Sequence, residues 1–139
     1  MKKINFIING EPIAQKRHRH HRWGVYDPSA KDKQHTKKVI HPHIPSVILK
    51  GAIVLHLDFY CTRPKYHYGT GKNSETLKKK YELCYKIGKP DIDNYIKFYM
   101  DVFTKSGFFN DDAQVIRISS SKKYANTEPR TEVMIVELN

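Results

Sequence analysis

From Asp91 to Lys105 apolar residues recur at helical spacing: at 100° per residue, Ile92, Tyr95, Ile96, Tyr99 and Phe103 share one face while Asp93, Lys97 and Asp101 share another. Gly107 follows where a left-handed C-terminal stop is expected. A helix this one-sided is marginal alone in water, because its aromatic face needs tertiary cover. The clearest strand pattern lies upstream in residues 51–60 (GAIVLHLDFY), where Ile53, Leu55, Leu57 and Phe59 alternate with His56, Asp58 and Tyr60.

The remaining segments fit the same plan. Ile4, Phe6 and Ile8 predict a first strand over 4–8, stopped by Gly10 and Pro12. Residues 15–24 (QKRHRHHRWG) have no apolar period and read as a loop or hairpin arm. Asp27 or Ser29, flanking Pro28, is expected to cap a helix through AKDKQHTKKVI, which Pro42 and Pro45 end. Residues 63–89 carry many Lys and Tyr and few aliphatics, which predicts a mobile surface excursion with room for one short helix. Strands are expected over 114–120 and 131–138. With no repeat or linker, the 139 residues predict one α+β domain, 1–139, with a mixed β-sheet flanked by helices.

Charge narrows the partners. With 25 Lys and Arg against 14 Asp and Glu, the formal charge is +11, which favours a polyanion, nucleic acid first. No segment joins a long apolar face to a Lys-rich one, and runs such as Ile53 to Leu57 fall far short of the roughly 20 residues that span a bilayer, so no membrane partner is expected. Lys2 and Lys3 precede no signal-peptide core, and a cytoplasmic location is expected. Cys61 and Cys84 lack a CxxC or Cys/His spacing and read as reduced thiols. The densest cationic stretch is Lys16, Arg17, Arg19 and Arg22, interleaved with His18, His20 and His21 and followed by Trp23. A solvated loop is the plain explanation. DNA contact is the one favoured here, because guanidinium pairs with phosphate in bidentate fashion and Trp23 or Tyr26 offers a surface for an exposed base. HRHH lacks the spacing of a structural zinc site. Lys78, Lys79 and Lys80 read as a solvated or phosphate-contacting helix face.

In this acid-poor chain Asp91, Asp93, Asp111 and Asp112 crowd into 22 residues, two at each end of the predicted helix. Carboxylates brought together repel unless a cation compensates, and with no Cys or His pair nearby a hard ion, Mg²⁺ or Mn²⁺, suits them. Each acid alone has a simpler reading. Asp91 at a helix start is a cap, Asp93 with Lys97 is an i,i+4 pair worth about 0.3–0.5 kcal/mol, and Asp111 is a turn residue. If the chain folds back after the helix, Asp91, Asp93 and Asp112 meet at one point, and Lys97 aims its ammonium at a phosphate there.

The string KPDIDNYIKFYMDVFTKSGFFNDDAQV, 89–115, closely resembles the core signature of the RusA family of Holliday junction resolvases, found in bacteria and often in prophages. In that signature a D-x-D-N-x-x-K stretch begins a helix and DDAQV follows about twenty residues on. Asp91, Asp93, Asn94, Lys97, Asp101 and the run from Asp111 to Val115 stand where it wants them. The resemblance implies a RusA-like fold and a magnesium-dependent endodeoxyribonuclease of DNA recombination and repair. It implies that Asp91, Asp93 and Asp112 are the metal-binding catalytic acids, that Lys97 is the catalytic lysine and that Asp111 is a supporting metal-site acid. It further implies a homodimer that nicks two opposed strands of a four-way junction. The His-rich QKRHRHHR and the long excursion over 63–89 depart from the compact members of that family. Pro90 with Asp91 could also open a restriction-type PD…(D/E)xK site, but Ala113 and Gln114 follow Asp112 where an acid-x-Lys would be needed. A non-catalytic DNA-binding protein of the same fold is the alternative from another class.

Overall fold

The computed structural model describes residues 1–139. Along the chain run β1 (Lys2–Asn9), a small hairpin of β2 (Arg19–His21) and β3 (Gly24–Tyr26), helix α1 (Ala30–Ile40), β4 (Ile53–Cys61), helix α2 (Ile92–Ser106), β5 (Val115–Tyr124) and β6 (Arg130–Glu137). Four strands form one mixed sheet in the order β1-β6-β4-β5. β6 is antiparallel to both β1 and β4, whereas β4 and β5 are parallel. A parallel pair needs a crossover, and residues 62–114, with α2 among them, supply it. This is the expected single α+β domain.

The alternation in β4 holds from Leu55 onward, with Val54 buried on the opposite face before it. Leu55, Leu57, Phe59 and Cys61 are fully buried, while His56, Asp58 and Tyr60 on the opposite face are partly open. α2 covers the buried face and runs antiparallel to β4. Near its N-terminus Tyr95 stacks on Phe59 at 4.8 Å, and toward its C-terminus Phe103 meets the edge of Phe6, which also stacks on Phe108. Each such ring contributes about 1.5–3 kcal/mol through burial. The buried Tyr99 hydroxyl accepts the Ile13 N–H at 3.0 Å and faces the Thr131 hydroxyl, so its polar end is satisfied. Gly107, at φ +94°, takes the left-handed cap conformation that ends α2, and its N–H donates to the carbonyls of Phe103 and Thr104.

Two expectations change. Ser29 occupies the position before α1 but makes no side-chain capping bond. Its hydroxyl instead accepts the Lys16 N–H, and Asp27 Oδ1 accepts the Ser29 N–H. The excursion over 63–89 holds three single-turn 3₁₀ segments and is fastened by the buried Arg63 and His67. The Arg63 guanidinium donates to the carbonyls of Ala125, Tyr81 and Glu82 and to the Asn126 side chain. His67 stacks flat on Tyr81 at 4.1 Å. Residues 84–86 then bond along β5, through Lys86 N–H to the Lys122 carbonyl and Tyr124 N–H to the Cys84 carbonyl, covering part of an edge strand. A composition-based reading counts Arg63 and His67 as solvent residues; a ring of carbonyl acceptors makes the burial of Arg63 tolerable.

Candidate functional site

At the N-terminus of α2, Asp91 stands in the cap position with extended backbone (φ −67°, ψ 145°), yet its side chain makes no capping bond. Its backbone carbonyl accepts from Asn94 and Tyr95 instead. The segment just before it is fixed by Lys122 of β5, whose ammonium donates to the Gly88 carbonyl at 2.6 Å and the Pro90 carbonyl at 2.7 Å. The Asp91 carboxylate is therefore held at the helix mouth, exposed and uncommitted to the fold. Asp93 lies 3.7 Å from Lys97 one turn on, both about two-thirds exposed.

Asp111 and Asp112 stand beyond the other end of α2. Asp111 does cap: its Oδ1 accepts the Ala113 N–H at 2.8 Å, at the start of a 3₁₀ turn over Asp112–Gln114. Gln114 closes the box by accepting the N–H groups of Asn110 and Asp111, while its amide donates to the carbonyls of Leu49 and Gly51. The turn is thereby stapled to the segment that leads into β4. Asp112 is exposed. The neighbouring Asp111 carboxyl pushes Asp112 above the usual carboxylate range, while the Ala113 N–H and Asp112 hold Asp111 below it. A carboxylate under such pressure is suited to a cation or a shared proton.

The chain thus sets two acids at each end of α2 and does not join the two pairs. Fifteen helical residues span about 22 Å. The chain does fold back after Gly107, but Asp112 stands at the turn itself, and β5 leads away from it toward the Asp91 end. No three His, Cys, Asp or Glu side chains of the chain converge where they could hold a metal ion. The expected meeting of Asp91, Asp93 and Asp112 does not occur within one chain, because a rigid helix separates them.

A cleft of about 720 Å³ runs along α2, lined by Asn94, Lys97, Asp101 and Lys105 on the helix, Asp112 beyond it, and Lys16 and Arg17 on the facing arm. The arm is bonded in place. Gln15 donates its N–H to the Asn94 carbonyl and its side-chain amide to Asp27 Oδ1. Beneath it Lys33, with only 8% of its side chain exposed, bridges Asp27 Oδ2 at 2.6 Å and Asp101 Oδ2 at 3.0 Å. Asp101 Oδ2 also meets Lys105 at 3.0 Å. Burial alone would raise Asp27, but Lys33, the Ser29 N–H and Gln15 outweigh it and bring it down to about 2. Neither Lys33 nor Gln15 stands out in the sequence as a residue of the site. The available signal was spacing, since Lys33, Thr36 and Ile40 are the buried stripe of α1, though only Ile40 is apolar. Arg19 and Arg22 stand apart on the β2–β3 hairpin, where every residue from 19 to 26 is exposed.

The family model for endodeoxyribonuclease RusA matches residues 9–136. The chain is 35% identical over 144 aligned residues to the uncharacterized protein YqaN of Bacillus subtilis (strain 168), covering 98% of this chain and 97% of YqaN. It is 33% identical over 61 residues to the crossover junction endodeoxyribonuclease rusA of Lactococcus phage r1t, covering 44% of this chain and 46% of the phage protein. No helix of the structure is long and apolar enough to cross a membrane. A fold, a cleft edged with lysines and acids, and a family match over nearly the whole chain agree: this chain belongs to the RusA endodeoxyribonuclease family.

Proposed function

We propose that the protein is a homodimeric, magnesium-dependent endonuclease that resolves four-way DNA junctions by paired nicks in opposed strands. The observation that carries this reading is the division of the acids. Asp91 and Asp93 stand at one end of α2, Asp112 at the other, and none of the three carboxylates is used as a helix cap. Two copies related by a two-fold axis across the middle of α2 lay their helices antiparallel. Asp91 and Asp93 of each copy then face Asp112 of the other, giving two equivalent acid triads.

The surface between the two ends of α2 suits such a contact. Ile96 and Met100 are only partly buried, and on the adjoining edge strand Ile116 and Ile118 are 61% and 38% exposed. An apolar strip bounded at both ends by acids is self-complementary under that axis. It also explains why carboxylates at opposite ends of a helix about 22 Å long should serve one reaction.

In each triad the carboxylates of Asp91, Asp93 and Asp112 would hold Mg²⁺, or Mn²⁺ in its place, which supplies Lewis-acid activation of the phosphodiester and of the attacking water. The chain's own contribution is positional and electrostatic. Lys97, four residues from Asp93 and open to the cleft, offers its ammonium to the phosphoryl oxygens, where negative charge grows during in-line displacement. Lys16 and Arg17 neutralise flanking phosphates and seat the strand against α2. Asp111 keeps its turn rigid through its bond to Ala113 and so orients Asp112. Two sites about a two-fold axis match two opposed strands of a junction.

The test is incubation of a synthetic four-way junction with the protein in Mg²⁺, in Mn²⁺ and with a chelator. Symmetric nicks in either metal and none with the chelator are expected. Tight junction binding with no nicks in any condition would favour the non-catalytic DNA-binding alternative.

A further inference from the structure

The β2–β3 hairpin takes no part in the core. Residues 19 to 26 are all exposed, and Trp23 at its tip is 82% exposed, an unusual place for the side chain with the largest apolar surface. The tip nevertheless has local contacts of its own. The Trp23 backbone N–H donates to His21 Nδ1 at 3.1 Å, the Arg22 guanidinium lies over the indole 5.0 Å from its centre, and His21 packs beside Tyr26 at 5.3 Å. The hairpin continues directly from Lys16 and Arg17, the arm bonded to Asn94 and Ser29 that forms one wall of the cleft. Its foundation is therefore fixed relative to Lys97 and Asp112.

From this placement we infer that the hairpin is the element that recognises branching, with Trp23 stacking on an unpaired or unstacked base where DNA strands diverge. The inference rests on the reading of the cleft as a DNA-cleavage site. An indole face stacks on any base and reads no sequence, so it adds affinity only where a base face is free. Inside a continuous duplex every base is covered by its neighbours, and Trp23 has nothing to stack on. Arg17, Arg19 and Arg22 contribute the sequence-blind attraction to phosphate that both kinds of DNA receive. The arm gives affinity for DNA, and the tip gives preference for a branch point.

Trp23 is the chain's single tryptophan, so its emission reports on the tip directly. The probes are a four-way junction and a duplex of the same sequence with both ends closed by hairpins, which removes terminal base faces. The junction should quench the emission strongly and protect the indole from acrylamide, while the closed duplex should do neither at equal occupancy. Trp23→Ala should weaken junction binding roughly 10-fold, leave closed-duplex binding within about 2-fold, and leave the urea midpoint unchanged, with Trp23→Phe restoring most of the loss. Equal quenching by both DNAs, or equal loss of affinity for both in Trp23→Ala, would overturn the inference. A wild-type protein that cuts junctions with its Trp23 emission unmoved would overturn the inference alone. Failure of the wild type to bind junctions would overturn the cleavage reading and this inference together.

Discussion

Lys33 Nζ lies 2.6 Å from Asp27 Oδ2, with 8% and 17% of the two side chains exposed, directly beneath the arm that carries Lys16 and Arg17. Replacing Lys33 by Met leaves Asp27 without its ammonium, and Asp101 keeps only Lys105. Removing one partner of a buried pair costs about 3–5 kcal/mol when the pair is fully enclosed. With Asp101 35% exposed, about 2 kcal/mol is expected here. Urea unfolding should show that loss, and junction binding should weaken because the arm loses its foundation.

The same pair sets an acid limit. Lys33, the Ser29 N–H and Gln15 hold the Asp27 carboxyl down to about 2 in the folded chain, against its ordinary 3.8, so between those values the unfolded chain binds a proton that the folded chain does not. Its stabilisation is complete above about pH 4 and disappears as pH falls toward 2. Allowing for screening on its open side, about 1 kcal/mol is at stake. The difference in unfolding free energy between wild type and Asp27→Asn should shrink across that window; a constant difference would contradict the assignment.

His67 sets a second limit nearer neutrality. Burial, then the Arg63 and Lys78 charges, holds its pKa below the ordinary 6.5. Below pH 6.5 the unfolded chain takes up a proton that the folded ring refuses, so stability falls as pH drops from there, while above it the contribution is whole. His67→Phe keeps a ring against Tyr81 and should flatten the melting temperature between pH 5 and 6.5. An unchanged pH dependence would mean that His67 is not the titrating group.

Lys97 separates catalysis from folding. Its side chain is 64% exposed and its pair with Asp93 is a surface contact. Lys97→Met should shift stability by less than about 0.5 kcal/mol. Single-turnover cleavage should fall by roughly 100-fold or more, the scale on which a charge-stabilising donor matters. A cleavage rate within a few-fold of wild type would remove Lys97 from the mechanism.

Salt dependence counts the phosphate contacts. If Lys16, Arg17, Arg19, Arg22, Lys97 and Lys105 each neutralise one phosphate, log K should fall against log salt with a slope of about −5. Arg19→Ala and Arg22→Ala should each reduce the slope by about one. A slope near zero would show that the basic arm does not meet the backbone.

Periodicity made much of this legible and failed where side chains behave against type. The strand around Leu55 and Leu57 and the helix around Tyr95 and Tyr99 were readable because one buried face stamps a period of 2 or 3.6 on the sequence. Lys33, Arg63 and His67 were not, because each is a polar residue buried by partners far away in sequence, Asp101 for the first and Ala125 and Tyr124 for the others. The acids were readable as a cluster in sequence. Their separation in space was a consequence of α2 being straight and continuous, which sequence adjacency conceals.

Mixing two inactive variants tests the central claim most directly. Asp93→Asn and Asp112→Asn should each bind junctions without cutting them. Combined, with exchange of subunits, they should regain cleavage, because each mixed dimer pairs the intact Asp91 and Asp93 of one copy with the intact Asp112 of the other at one site. The product should be single nicks rather than paired ones. If the mixture stays as inactive as its components while wild-type and variant subunits demonstrably exchange, each site is built within one chain, and the two-fold assembly across α2 is wrong.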